Sequence, residues 1–273
     1  GRGRGNERRS YANNVDVIIC DHHNPDENLP KAVADLDPKR KDCPYPYKEL
    51  SGCGVGFKLL QAFCMLNNYD ETMLYEFLDF TTVSIAADIV PITGENRILA
   101  AKGLELINQN KRPGFKALKH VSGFEKEMTI SNVVFGFAPR INAAGRLYHA
   151  KDAVKVLISK SEEEAFAFAE AVNQANVERK ELDKKIQEEA LEIIAESEFL
   201  QNSKTTVLFK KDWHKGVIGI VASRCIEVYY RPTIILSESN GKAVGSARSV
   251  RGFSVYDALL ECEDLLEQFG GHK

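Results

Sequence analysis

Hydrophobic and polar positions along the chain alternate between strand-like runs and helical spacing. Val15 to Cys20 (Val-Asp-Val-Ile-Ile-Cys) is a β-branched run that stops at Asp21-His22-His23-Asn24-Pro25, as a buried parallel strand does when it hands over to a polar loop. Gly52 to Leu66 and Glu71 to Ala87 repeat apolar residues at helical spacing, and Pro91, just past Asp88, marks a helix end nearby. A helix over Arg97 to Gln109 stops before Pro113. This alternation predicts an α/β first half with a parallel sheet.

Ser161 to Ser197 lacks Gly and Pro and spaces Ala175, Leu182, Ile186, Ala190 and Ile193 along one helical face. A helix of that length would reach ~55 Å, so it is read as a connection between two domains, with its acidic side a solvated face. Beyond it, Thr205 to Phe209 and Pro232 to Leu236 read as strands, Gly216 to Tyr229 as a helix, Lys242 to Ser246 as a short strand and Tyr256 to Gln268 as an amphipathic helix. The expected organisation is a tag or disordered arm over 1–10, a first domain over 11–158, a connecting helix over 159–200 and a smaller α/β domain over 201–273.

Composition agrees with two ordinary globular domains: 273 residues, 44% hydrophobic and 27% charged. There is no run of ~18 apolar residues to span a membrane, and the arginine-rich start has no apolar core of a secretory signal. Six cysteines are scattered without a Cys-x-x-Cys pair, which argues against a zinc knuckle or a disulfide framework and points to reduced thiols and a cytoplasmic location. With a net charge of −3 the molecule is not a bulk-basic nucleic-acid binder, so any strand binding must be local.

Four segments carry candidate chemistry. Asp21-His22-His23 ends a predicted parallel strand, where open α/β sheets bind ligands; imidazole and carboxylate suit borderline and hard divalent metals, although a polar turn would use the same residues. Asp88 ends an apolar, small-residue stretch, so burial is expected, with a cation or charge partner to match. Pro139 to Arg146 (PRINAAGR) reads as a small-residue turn flanked by Arg140 and Arg146, whose planar forks suit phosphate or partner acids. Trp213-His214-Lys215-Gly216 precedes a helix start, a position that favours anions, and Gly245 to Ser249 and Gly270-Gly271-His272 are further donor-rich loops.

In this order the segments resemble the DHH phosphoesterase superfamily, and within it the RecJ-type exonucleases. The resemblance runs through Asp21-His22-His23, Gly52 to Leu59, Asp88-Ile89-Val90-Pro91, PRINAAGR, Trp213 to Arg224 (WHKGVIGIVASR), Arg231-Pro232-Thr233, Gly245 to Ser249 and Gly270 to Lys273, about residues 11 to 273. It implies a parallel-sheet DHH domain joined by the long helix to a DHHA1-type domain, with a groove between them. It also implies a 5′→3′ exonuclease that uses two Mn2+ or Mg2+ ions to hydrolyse single-stranded DNA to 5′-mononucleotides in recombination and repair. By motif position His22 and Asp88 would be metal ligands, and Asp21 and His23 ligands or orienting neighbours, all four catalytic. Ser246 and Arg248 would hold the 5′ end, while Arg140, Asn142, Arg146, His214, Lys215 and His272 would line the strand's path, with stacking from Trp213 and His214. The same resemblance implies a monomer working with a single-strand-binding protein and a RecQ-type helicase.

One departure stands out. The family's Asp-rich first motif lies upstream of the triplet, and the residues before Asp21 contain none; Asp35-Leu36-Asp37-Pro38 is the nearest aspartate pair and reads as a loop. The expectation is a site short of carboxylates and a chain that is catalytically inactive or impaired by itself. Two other readings stay open: a DHH phosphodiesterase for short oligoribonucleotides or cyclic dinucleotides, and a non-catalytic single-strand-binding fragment.

Overall fold

The structure, a computed structural model, describes residues 15–25, 29–109 and 111–270. The chain divides into two compact units: one runs up to Gly145 and includes His149–Asn173, and the other is Arg146–Tyr148 with Gln174 onward.

In unit 1, β1 (Ile18–Cys20) and β2 (Ala34–Leu36) pair in parallel, Ile18 opposite Ala34 and Cys20 opposite Leu36. The amide of Asp21 continues the ladder to the Leu36 carbonyl at 3.0 Å. The loop expected at Asp35-Leu36-Asp37-Pro38 is therefore half strand. Three residues are too few to show a period, and the carboxylates hide the aliphatic neighbour.

Helix α1 (Gly52–Asn67) is capped by Ser51, whose hydroxyl accepts from the Gly54 amide. The single helix predicted over Glu71 to Ala87 is instead a 3₁₀ segment, Glu71–Phe77, capped by Asp70, followed by α2 (Leu78–Asp88). Helix α3 (Gly94–Asn108) lies tightly against α2: a Cβ on Gly103 would come within 2.0 Å of the Leu78 carbonyl oxygen. The close crossing leaves Ile85 and Leu99 sealed in a core with Leu50, Val55 and Phe57, and fixes where the end of α2 stands.

A second core gathers Phe115, Met128, Val133, Phe137 and Val156 from α4 (Pro113–Val121) and the elements after it. Among these, PRINAAGR is not a turn. It forms α6 (Ala138–Leu147), entered from the short α5 (Ile130–Asn132) through a π-helical segment, Val133–Phe137. Pro139, which has no N–H to give to a helical ladder, stands two residues past the π-helical segment, and Ala143 and Ala144 are buried. Small residues that suggested a turn are there because the helix packs closely. Helix α7 (Ala150–Ile158) precedes α8 (Glu162–Ala195), the predicted long helix.

Unit 2 follows α9 (Glu198–Asn202) with a three-stranded sheet: β3 (Thr206–Phe209) parallel to β4 (Thr233–Ser239), and β5 (Lys242–Arg248) antiparallel to β4. Helix α10 (Ile218–Val228) packs on β4 and β5, burying Ile218, Val221 and Cys225 with Ile235, Ile186, Ile194 and Trp213. The helix predicted over Tyr256 to Gln268 is shorter, α11 (Val255–Leu260), followed by a 3₁₀ turn, Glu263–Leu265.

Candidate metal centre and nucleic-acid interface

The triplet leaves the end of β1 as a tight polar turn. The Asp21 Oδ1 accepts from the amides of His22 at 2.7 Å and His23 at 3.2 Å, and lies 2.7 Å from the His23 ring Nδ1. Burial pushes the Asp21 carboxyl up, but these bonds outweigh it and hold its pKa below the usual range. One carboxylate oxygen thus organises both histidines. The His22 and His23 rings lie 4.4 Å apart, and donor atoms of all three residues fall within 4.8 Å of one another.

His22 points back across the sheet end. Its Cδ2 stands 3.4 Å from where a Cβ of Gly52 would be, so the start of α1 shapes its pocket. Its Nε2 lies 3.6 Å from the Asp88 Oδ2, and its Nδ1 is buried with no hydrogen-bond partner. Burial draws the His22 pKa below its ordinary value; the charge of Asp88 pulls it the other way without overcoming this. The ring is therefore a neutral donor near pH 7.

Asp88 is the last residue of α2, and it is exposed rather than buried as expected. The chain turns out of the helix at Ile89, which takes a left-handed φ of 54°, so the carboxylate stands at the rim instead of inside the core. The C-terminal end of a helix carries partial negative charge, which adds to that of Asp88 and makes the rim a place for a cation. Asn142 on α6 reaches the same rim, its Nδ2 donating to the Ala87 carbonyl at 3.4 Å.

These donors fit a divalent metal. A distance of 3.6 Å is long for a hydrogen bond but within the separation of two ligands that share one ion at ~2.1 Å each. Neutral imidazole with carboxylate is a donor set for Mn, and carboxylate for Mg.

Two residues that hold this rim had no recognised signal in the sequence. Asn96, fully buried, donates to the Glu49 carbonyl at 2.5 Å and the Pro91 carbonyl at 3.0 Å, and the Tyr47 hydroxyl donates to the Thr93 carbonyl at 2.8 Å. Together they pin the loop that follows Asp88. Their partners are backbone groups far along the chain, which no local pattern reveals.

The residues expected to line a strand's path divide. Arg140 belongs to packing: its Nε donates to Asn173 Oδ1 at 2.9 Å, one terminal nitrogen to the Gly136 carbonyl at 2.8 Å and the other to the Val121 carbonyl at 2.9 Å. In unit 2, Arg146 donates to the Gly216 carbonyl at 3.1 Å, and the His214 Nδ1 accepts from the Gly216 amide at 3.0 Å, so these two gather at one loop. Ser246 and Arg248 lie together on β5, 3.3 Å apart. Lys215 does not join them: its Nζ is 3.1 Å from Ser239, four positions along β4 from Ile235, the partner of Ser246, or ~13 Å at the strand rise.

Trp213 cannot stack on a base. It is 3% exposed, and its indole N–H donates to Glu189 at 2.9 Å. His272 lies outside the described residues.

The family described as "DHH family, N-terminal domain" matches residues 4–85, and the "DHHA1 domain" matches residues 202–273. The first stretch thus carries a DHH-family N-terminal domain and the last a DHHA1 domain. The chain is 42% identical over 261 residues to the single-stranded-DNA-specific exonuclease RecJ of Bacillus subtilis, covering 94% of this chain and 32% of that protein. It is 37% identical over 279 residues to the RecJ of Salmonella typhimurium, covering 94% and 48%. A crystal structure of RecJ from Thermus thermophilus in complex with Mn2+ superposes with a TM-score of 0.83 at 32% identity, covering 97% of this chain and 39% of that one. The chain spans between about a third and a half of the curated RecJ proteins it matches. Among the described residues no helix is long and apolar enough to cross a membrane.

Proposed function

We propose that this chain is part of a metal-dependent 5′→3′ exonuclease that hydrolyses single-stranded DNA to 5′-mononucleotides. The observation that carries the reading is the meeting of His22 Nε2 and Asp88 Oδ2 at 3.6 Å, from segments far apart in sequence. RecJ is the name of the relatives that share both the sequence and the fold.

In this reading His22 and Asp88 hold Mn2+ or Mg2+ directly, while Asp21 orients His22 and His23 through its three contacts. Bound there, divalent ions would activate a water and neutralise charge on the leaving 3′ oxygen. In unit 2, Arg248 and Ser246 hold the phosphate at the strand's 5′ end, and Arg146, His214 and Lys215 bind the backbone further on, without reading bases. Asn142 steadies the rim beside Asp88. Among the described residues these four side chains are few donors for two ions, and from that we expect weak metal binding and slow turnover. A role in recombination and repair, a monomeric state, a cytoplasmic location, and work beside a single-strand-binding protein and a RecQ-type helicase belong to the same proposal.

The test is Mn2+-dependent release of mononucleotides from 5′-labelled single strands, compared with duplex and with dinucleotides. Release from long single strands that is lost in His22→Ala and Asp88→Asn supports the reading. Undiminished release by His22→Ala overturns it, and faster cleavage of dinucleotides assigns the chain to short oligonucleotides instead.

A further inference from the structure

In unit 2 the side chain of Arg248 is not a free tether. Its Nε donates to the Ser223 hydroxyl at 3.1 Å, and one terminal nitrogen to the Ala247 carbonyl at 2.7 Å and the Ser246 hydroxyl at 3.3 Å. Ser223, a turn into α10, spends its single proton on the Gly219 carbonyl at 3.1 Å, which leaves its lone pairs facing the guanidinium. The other terminal nitrogen, Nη2, passes over Gly219: a Cβ there would stand 3.1 Å from it and 2.8 Å from the Ser246 Oγ. Gly219 therefore has to lack a side chain for Arg248 and Ser246 to lie against the first turn of α10.

We propose that Ser223 is a positioning residue that locks the Arg248 fork, and that Gly219 provides the clearance, so that the exposed edge of the guanidinium is presented to a phosphate. This rests on the reading that unit 2 binds the end of a single strand. An arginine has five donors in a fixed plane. With Nε on Ser223 and Nη1 on Ser246 and Ala247, rotation about the last side-chain bonds is restrained, and Nη2, lying over Gly219, keeps its donors for a ligand. A terminal phosphomonoester, with its extra charge and oxygen, gains more from a fixed fork than an internal phosphodiester does. Ser223 would then set the preference for a 5′-phosphorylated end without touching the strand.

Two measurements on the whole chain, without metal so that nothing is cleaved, test this. In the first, fluorescence anisotropy compares a 5′-phosphorylated with a 5′-hydroxyl single strand. Ser223→Ala should reduce the preference for the phosphorylated end by about tenfold, the effect of one charged hydrogen bond, with binding of the 5′-hydroxyl strand unchanged; Ser223→Thr, which keeps the hydroxyl, should restore it. Gly219→Ala should abolish the preference. In the second, the Arg248 Nε–H resonance should be protected from exchange in the parent and in Ser223→Thr and lost in Ser223→Ala. A preference and a resonance both indifferent to Ser223→Ala overturn the proposal. A parent that binds no single strand, yet shows the Ser223-dependent resonance, overturns the strand reading instead and leaves the lock standing. Equal loss of both strands' binding in Ser223→Ala marks a merely structural serine and overturns the positioning role.

Discussion

His22 and Asp88 approach end to side, Nε2 to Oδ2 at 3.6 Å, with the ring buried and the carboxylate at the rim. Neither atom makes a hydrogen bond to the other, and burial keeps the ring neutral. Two donors left in this way favour a shared cation. Mn2+ should therefore stabilise the chain against thermal unfolding: an ion at a hundredfold excess over its Kd contributes about 2.7 kcal/mol. His22→Ala and Asp88→Asn should each remove most of that Mn2+-dependent rise in Tm. Scanning calorimetry with and without Mn2+ checks it; an undiminished rise in His22→Ala would place the ion elsewhere.

Ile89 turns the chain directly after Asp88 with a φ of 54°, although its side chain is largely exposed. A β-branched residue in the left-handed region costs on the order of 1–3 kcal/mol. The end of α1 makes the same exit with Asn68 at φ 55°, a residue type that tolerates it. Ile89→Asn should raise stability by about 1 kcal/mol, read as a higher urea midpoint with an unchanged slope. A lower midpoint would show that the isoleucine side chain has a role that outweighs its strain.

Arg140 spends three nitrogens on Asn173, Gly136 and Val121, and burial draws its pKa down. Arg140→Lys cannot reproduce that fork and leaves carbonyls without donors, so it should lower stability by about 2–3 kcal/mol. Single-strand affinity, measured at a temperature where both proteins are folded, should stay close to that of the parent. Weakened affinity with unchanged stability would return Arg140 to the strand's path.

How far the sequence could be read depends on whether each residue's partner is local. Val15 to Cys20 showed a parallel strand because an aliphatic run needs only itself to be seen, but only Ile18–Cys20 pairs, and Ile18 is exposed rather than buried; the triplet that follows takes its place from the strand's end. Asp88 was legible as a ligand candidate through its motif, yet its exposure was not, because burial was inferred from apolar neighbours that face the other side of α2. PRINAAGR looked like a turn, since arginine, asparagine and glycine are turn-compatible, while the burial of Ala143 and Ala144 that makes it a helix comes from distant elements. Trp213 was misplaced for the same reason. Its flanking His214 and Lys215 suggested an exposed loop, but the acceptor that allows the indole to be buried, Glu189, lies on α8.

Glu189 is the last case, because it ties that tryptophan to solution pH. Its Oε2 accepts from the Trp213 indole at 2.9 Å and from Lys210 Nζ at 2.6 Å, and the Lys210 and Trp213 bonds hold its pKa below the usual carboxylate range. A carboxyl with a lowered folded-state pKa contributes stability that is present above its unfolded value of ~4.3 and is lost as pH falls through the folded value. The pair lies near solvent, so the contribution is about 1 kcal/mol. Glu189→Gln keeps an acceptor for the indole but loses the charge facing Lys210. It should be less stable than the parent near pH 7 by that amount, and the difference should shrink as pH falls from about 4.3, where the unfolded carboxyl takes up its proton, through the lower folded value. Trp213 is the only tryptophan in the chain, so urea unfolding followed by its fluorescence at the two pH values reads unit 2 directly. A difference that stays constant or grows on acidification would mean that Glu189 acts by packing rather than by its charge.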